Sequence, residues 1–243
     1  MAHIGIDMVR YAHFEKASHV LAAEYDRTVR AIRQRNFSVN NRFQALGAMC
    51  LAFNNGDRKS KSAHAFLPSK LLMDENLLMC SDKNPTVHHE SNFVVLSPAA
   101  REVIQNQFHY HARSVIAYKK ENNLNLAGRA LSLSNTEISE DEQPEAFFYV
   151  LNSAGDQSSP IGTREIEDEL SELWPYPMSE CRRQISRALK LRGVPDYLVE
   201  LQLGHLRMSC PPFSEQWSQS VIEVRNLLLP PLTQYMEDLG WKV

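Results

Sequence analysis

The sequence predicts a mainly helical α+β fold carrying a small antiparallel sheet of three strands. Apolar residues recur every three or four positions through most of the chain, the period of helices with one buried face. Two short apolar runs, 77–80 and 93–96, flank the polar segment 81–92 as hairpin strands flank their loop. A third run, Phe147-Phe148-Tyr149-Val150, supplies the remaining strand. Helices that outnumber strands without alternating regularly with them give this class.

Each element has its own signal. Tyr11, Phe14, Val20, Leu21, Tyr25, Val29 and Ile32 mark the buried stripe of a first helix over 9–32. A second, 41–53, uses Phe43, Leu46, Met49, Cys50 and Phe53, and stops at Asn54-Asn55-Gly56, residues that tolerate the left-handed turn ending a helix. After the hairpin, Ser97-Pro98 opens a helix to about Lys120: serine serves an orphan N–H, and proline in the first turn has none to lose. Residues 121–145 are polar and acidic, and read as a loop with one short helix. Thr163 reads as the cap of a helix to Leu173, stopped by Trp174-Pro175-Tyr176-Pro177. Three more helices follow over 179–191, 195–203 and 215–239, the last broken at Pro230-Pro231.

Composition bounds the function. The chain has 243 residues, enough for one core or two, with 26 bases against 29 acids, a net charge of −3. Residues 135–180 hold twelve acids and one base, Arg164, a net of −11, which leaves 25 bases and 17 acids, +8, elsewhere. That acidic stretch reads as a solvated loop and helix face. Attraction to phosphates follows local potential within a Debye length, so the net charge leaves a phosphate-backbone partner open. A 43% hydrophobic, 23% charged composition excludes a disordered chain. No apolar stretch approaches the roughly 20 residues that span a bilayer. The opening residues lack a signal-peptide core, and the four cysteines are scattered without a CxxC pair. The expectation is a soluble, cytoplasmic protein with no membrane partner.

Four basic residues fall at informative places. Arg58 follows a helix end in Gly56-Asp57-Arg58, and Lys83 lies in the hairpin loop 25 residues later. Arg182 starts a helix, and His205 lies 23 residues beyond it in Leu203-Gly204-His205, after the helix-breaking Gly193-Val194-Pro195. In this order and spacing the sequence resembles the catalytic domain of the tyrosine recombinases, the phage-integrase family. Gly56-Asp57-Arg58-Lys59-Ser60 resembles the family's first-arginine turn, and Ser81-Asp82-Lys83 its hairpin lysine. Val94 to Pro98 resembles the strand and helix start that follow. Arg182 through Gly193 to His205 matches the second arginine and the Leu-Gly-His box. The resemblance implies an integrase-like catalytic domain over 41–243. An N-terminal helical segment, 1–40, precedes it and is shorter than the separate DNA-clamping domain the family carries.

The implied activity is site-specific DNA recombination, or integration of a mobile element, through a phosphotyrosine intermediate. A tyrosine attacks a DNA phosphodiester, and the phosphorane gains negative charge. Two arginines, here Arg58 and Arg182, present planar donor forks to its oxygens. His205 donates a hydrogen bond or moves a proton near neutral pH, and Lys83 protonates the leaving 5′ oxygen. Arg183, one position from the catalytic slot, and Arg187 would meet DNA. No metal or cofactor is implied. The implied partner is double-stranded DNA, engaged by a homo-oligomer.

The sequence departs from the family at three places. Ser179 stands where a histidine precedes the second arginine by three residues, and Lys61 where a glutamate is usual. Nine residues beyond His205 stands Ser214, with Phe213 beside it, and no tyrosine occurs between His205 and Tyr235. Tyr235 is thus the remaining candidate nucleophile in this region, although it lies within the apolar stripe Val221, Val224, Leu228, Leu232, Met236 and Leu239. The alternative is therefore a catalytically inactive, recombinase-fold DNA-binding accessory or regulatory protein. His88-His89 and His109-Tyr110-His111 suggest metal ligands, but no cysteine or carboxylate accompanies them at helical i, i+4 spacing.

Overall fold

A computed structural model describes residues 2–56, 71–72, 76–81, 91–134, 146–204 and 221–242. The described chain is mainly helical with two small antiparallel sheets. The helices are α1 (Ala2–Arg33), α2 (Asn40–Asn55), α3 (Pro98–Lys120), α4 (Leu124–Leu133), α5 (Thr163–Leu170), α6 (Ser179–Leu191), α7 (Asp196–Gln202) and α8 (Val221–Asp238). The strands are β1 (Leu71–Leu72), β2 (Leu77–Ser81), β3 (Ser91–Val95), β4 (Tyr149–Leu151) and β5 (Ser158–Pro160).

Helix α2 is the axis of the molecule. Fourteen of its 16 residues are buried, so it is enclosed on every side rather than along one stripe. Helices α1, α3, α5, α6 and α8 and strand β4 surround it. Phe14 of α1, Phe53 of α2 and Trp174 meet edge to face, with ring centroids 5.1–5.6 Å apart, the geometry that aromatic quadrupoles favour. The N-terminal segment thus shares its core with the rest of the chain. Trp241 Nε1 donates to Ser18 Oγ at 3.1 Å, fastening α1 to the C-terminal residues.

The expected hairpin is present as β2 and β3, with Leu77 opposite Val95 and Ser81 opposite Ser91. Ser97 caps α3, its hydroxyl accepting from the Ala100 N–H at 3.2 Å, with Pro98 in the first turn.

Three expectations are corrected. The third strand of the sheet is β1, and the run at Phe147–Val150 instead leads into β4, which pairs with β5 in a separate hairpin. Side chains of α2 explain why: Asn41 brackets Leu151, accepting from its N–H at 2.7 Å and donating to its carbonyl at 2.8 Å. Gln44 Oε1 accepts from Tyr149 N–H at 3.3 Å. Amide side chains thus occupy the edge that another strand would pair. At α5, Gly162 and not Thr163 is the cap, with Glu165 accepting from the Gly162 N–H at 3.0 Å, and the helix ends at Leu170. Finally, α8 runs through Pro230-Pro231 without breaking. The carbonyls deprived of donors belong to Asn226 and Leu227, both exposed, where water can serve them, while Leu228, Leu232 and Tyr235 hold the helix in the core.

Candidate functional site

Arg182 draws distant parts of the chain together at the C-terminal end of α2. Its Nη1 donates to the Gly56 carbonyl at 2.8 Å and its Nη2 to the Leu203 carbonyl at 2.9 Å. Gly56 stands two residues before Arg58 in the sequence, and Leu203 two before His205. The planar guanidinium suits this bridge, since its fork holds two acceptors at once where a lysine presents a single flexible point charge.

The close approach requires glycine at 56. Gly56 has φ +64°, the left-handed cap that ends α2, and its N–H donates to the Ala52 carbonyl at 2.9 Å. A Cβ built there would stand 2.5 Å from Leu203 Cδ2 and 3.0 Å from Ile185 Cγ2. A side chain there enters only if Leu203 moves.

A buried amide network fixes the same junction. Gln202 Oε1 accepts from Val95 N–H at 2.9 Å, while its Nε2 donates to the carbonyls of Asn54 and Val95, both at 2.9 Å. Asn54 Nδ2 donates to the Val95 carbonyl at 2.8 Å, and Asn54 Oδ1 accepts from Ser97 N–H at 2.9 Å. Gln202 and Asn54 are both fully buried. Two side chains therefore tie the end of α2 to the end of β3, the start of α3 and the end of α7. Each bond is stronger inside the protein than in water, and leaving any unmade is correspondingly costly.

Of the residues singled out in the sequence, Arg58, Lys83, His205, Phe213 and Ser214 lie outside the described residues. Arg182 is part-buried at the junction. Arg183, the rival for its slot, is exposed and pairs with Glu180 at 2.8 Å. Arg187 is half-buried further along α6, and Ser179 is exposed at its first position. Tyr235 is fully buried in α8, and its hydroxyl has no hydrogen-bond partner among the described residues. Burial, with Cys181 and Tyr11 nearby, pushes its phenol well above the usual tyrosine range. A buried, strongly protonated phenol is a packing group and cannot reach a phosphate where it stands.

The paired histidines of α3 separate as well. His109 is exposed and His111 is fully buried, so they do not share a ligand. His111 stacks on Tyr149 at 5.6 Å and meets Phe147 edge on at 5.1 Å. Burial lowers its pKa to about 3; the Phe147 backbone offsets part of that, and Arg129 adds to it.

Sequence reasoning missed Asn54 and Gln202. Asn54 lies in the tripeptide that signals the helix end, and Gln202 directly precedes the Leu-Gly-His box, but the long-range bonds of a buried amide leave no local pattern. Comparison with known protein families, with curated proteins and with solved structures finds no match to this chain.

Proposed function

We propose that this chain is a recombinase-like protein that binds a DNA phosphodiester beside the Arg182 junction, through Arg58, Lys83, Arg182 and His205. As a recombinase, it would break and rejoin the strand through a phosphotyrosine. One observation carries the reading. A single guanidinium holds the carbonyls of Gly56 and Leu203, each two residues from a cationic position of the resemblance. Each of these cationic positions is two peptide units along the chain from a carbonyl that Arg182 holds. Arg182 thus has a positioning role whatever its remaining N–H donors meet. The amide network of Asn54 and Gln202 gives that junction the rigidity a preorganised anion site needs.

The burial of Tyr235 favours a second reading, in which the chain holds DNA without cutting it. Cleavage then requires a tyrosine from a second chain or a rearrangement of α8. A nicked duplex that traps covalent intermediates tests both. An adduct surviving SDS supports strand cleavage, and its loss in Arg58→Ala ties the reaction to the cationic site. Salt-sensitive binding with no adduct supports the accessory reading, because phosphate contacts weaken steeply as salt rises. A chain that neither binds nor reacts with duplex DNA overturns both.

A further inference from the structure

A second cationic surface lies at the other end of α2. Arg33, Arg35 and Phe37, from the end of α1 and the turn after it, face Arg113, Ile116, Ala117 and Lys120 of α3 across a groove of about 420 Å³. The α3 residues recur at i, i+3, i+4 and i+7, so they form one stripe with a cation at each end. Ile116, 62% exposed, and the half-buried Phe37 supply its apolar floor.

The groove gathers cations without carboxylate partners, whereas the other unpaired cations of the described surface, such as Lys16, Arg30, Lys119 and Lys242, stand outside it. Arg27, Arg42, Arg164, Arg183, Lys190 and Arg192 each have a carboxylate within 4.0 Å. Among the described residues Arg33, Arg35, Arg113 and Lys120 have none, and Arg33 makes only a 3.4 Å bond to Asn106. Cations at helix C-termini answer the helix dipole, which accounts for Arg33 and Lys120. It does not account for Arg113, in the body of α3, or for Arg35, beyond the end of α1 at φ +65°. Four like charges left unneutralised around one groove repel one another, and a polyanion relieves that repulsion.

We infer that this groove is a second contact for duplex DNA, taking backbone phosphates away from the Arg182 junction. The inference rests on DNA being the ligand of that junction. Helix α2, with 16 residues, separates the two places by about 24 Å, or about seven base-pair steps, so they would hold different phosphates of one duplex. No base edge is read here. The contact supplies affinity and orientation in place of sequence preference.

Fluorescence anisotropy with a labelled 30-base-pair duplex, titrated across NaCl concentrations, tests this. Arg113→Gln/Lys120→Gln removes two exposed charges that make no side-chain bond among the described residues, and circular dichroism checks that it remains native. It is expected to weaken binding about tenfold at low salt and to lower the salt slope by about 2. The control Arg27→Gln/Arg164→Gln removes the same charge from residues already paired with Glu24 and Asp168 and should change the slope little. Wild-type binding with an unaltered slope in the groove variant overturns this inference and leaves the Arg182 reading standing. Equal losses in both variants also overturn it, since overall charge would then explain the binding. A wild-type chain that does not bind overturns the groove and the junction together.

Discussion

The two ends of α2 meet the buried polar side chains of their neighbours in opposite ways. At its C-terminal end, Asn54 and the facing Gln202 spend their amide groups on backbone partners at the end of β3, the start of α3 and the end of α2 itself. Nearer its N-terminus, the facing side of α3 presents Gln107 and His111, both fully buried; the Gln107 amide has no hydrogen-bond partner among the described residues, and the His111 ring has the Phe147 backbone beside it. Aromatic rings surround them instead, with Tyr110, Phe147 and Tyr149 against the imidazole. Tyr110, Tyr118 and Tyr149 link hydroxyl to hydroxyl at 3.3–3.4 Å, and the Arg129 guanidinium lies 5.2 Å from the Tyr149 ring centre. The C-terminal end is organised by directional bonds, whereas the N-terminal half joins the Asn41 and Gln44 bonds to β4 with ring packing on its α3 side. Directional bonds fix chain positions, which an anion site needs; ring packing gives bulk burial, at the expense of an imidazole that must stay neutral.

Matched substitutions break the comparison most sharply. Gln202→Leu keeps the volume but leaves the Val95 N–H and the Asn54 carbonyl buried and unserved, and should cost about 3–4 kcal/mol. Gln107→Leu, at the ring-packed end, strips out polar atoms already without partners and should change stability by less than about 1 kcal/mol. Urea unfolding of the two variants beside wild type measures the contrast. Equal losses would show that the network has no special standing.

Acid should separate the halves next. In the unfolded chain His111 takes a proton near its ordinary value of 6.5, whereas in the folded protein it does so only near 3. The unfolded state therefore binds the extra proton first. The stability present above pH 6.5 falls as pH drops toward 3, then levels off. Linkage puts the loss at about 2.7 kcal/mol by pH 4.5. His111→Phe keeps the ring stack and removes the titration, so the difference in unfolding free energy should shift by that amount in favour of His111→Phe from pH 8 to 4.5. A constant difference would mean that the imidazole accepts its proton in place.

What the sequence disclosed divides along the same line. Asn54-Asn55-Gly56 announced the end of α2 because glycine there answers a local backbone requirement, and Ser97-Pro98 announced α3 for the same reason. The order of Arg58, Lys83, Arg182 and His205 could be read along the chain, and the two Arg182 bonds join the flanks of two of them. The carriers of that junction could not be read. Gln202 looks like any polar residue on a short helix, and its partners lie 107 and 148 residues away. Strand β4 departs from the sequence pattern for a related reason, since the groups on its edge are Asn41 and Gln44 of a helix over a hundred residues earlier. Local signals report on caps and turns; distant amides satisfying backbone groups leave none.

The smallest of these effects concerns backbone alone. Gly56→Ala forces an L-residue into a left-handed turn, costing about 1–2 kcal/mol, and sets its Cβ within 2.5 Å of a Leu203 methyl. Leu203 can yield by rotating its side chain, so the total should stay near 2 kcal/mol, below the loss in Gln202→Leu, where no rotation restores a donor. The two variants should also differ in kind. Gly56→Ala displaces Leu203 while leaving every hydrogen bond of the amide network available, so hydrogen exchange at the Val95 amide should remain slow, whereas Gln202→Leu should speed it. If Gly56→Ala unfolds as readily as Gln202→Leu, close packing between the ends of α2 and α7 contributes as much to the junction as its amides do. Directional bonding would then no longer distinguish this end of the helix from the other.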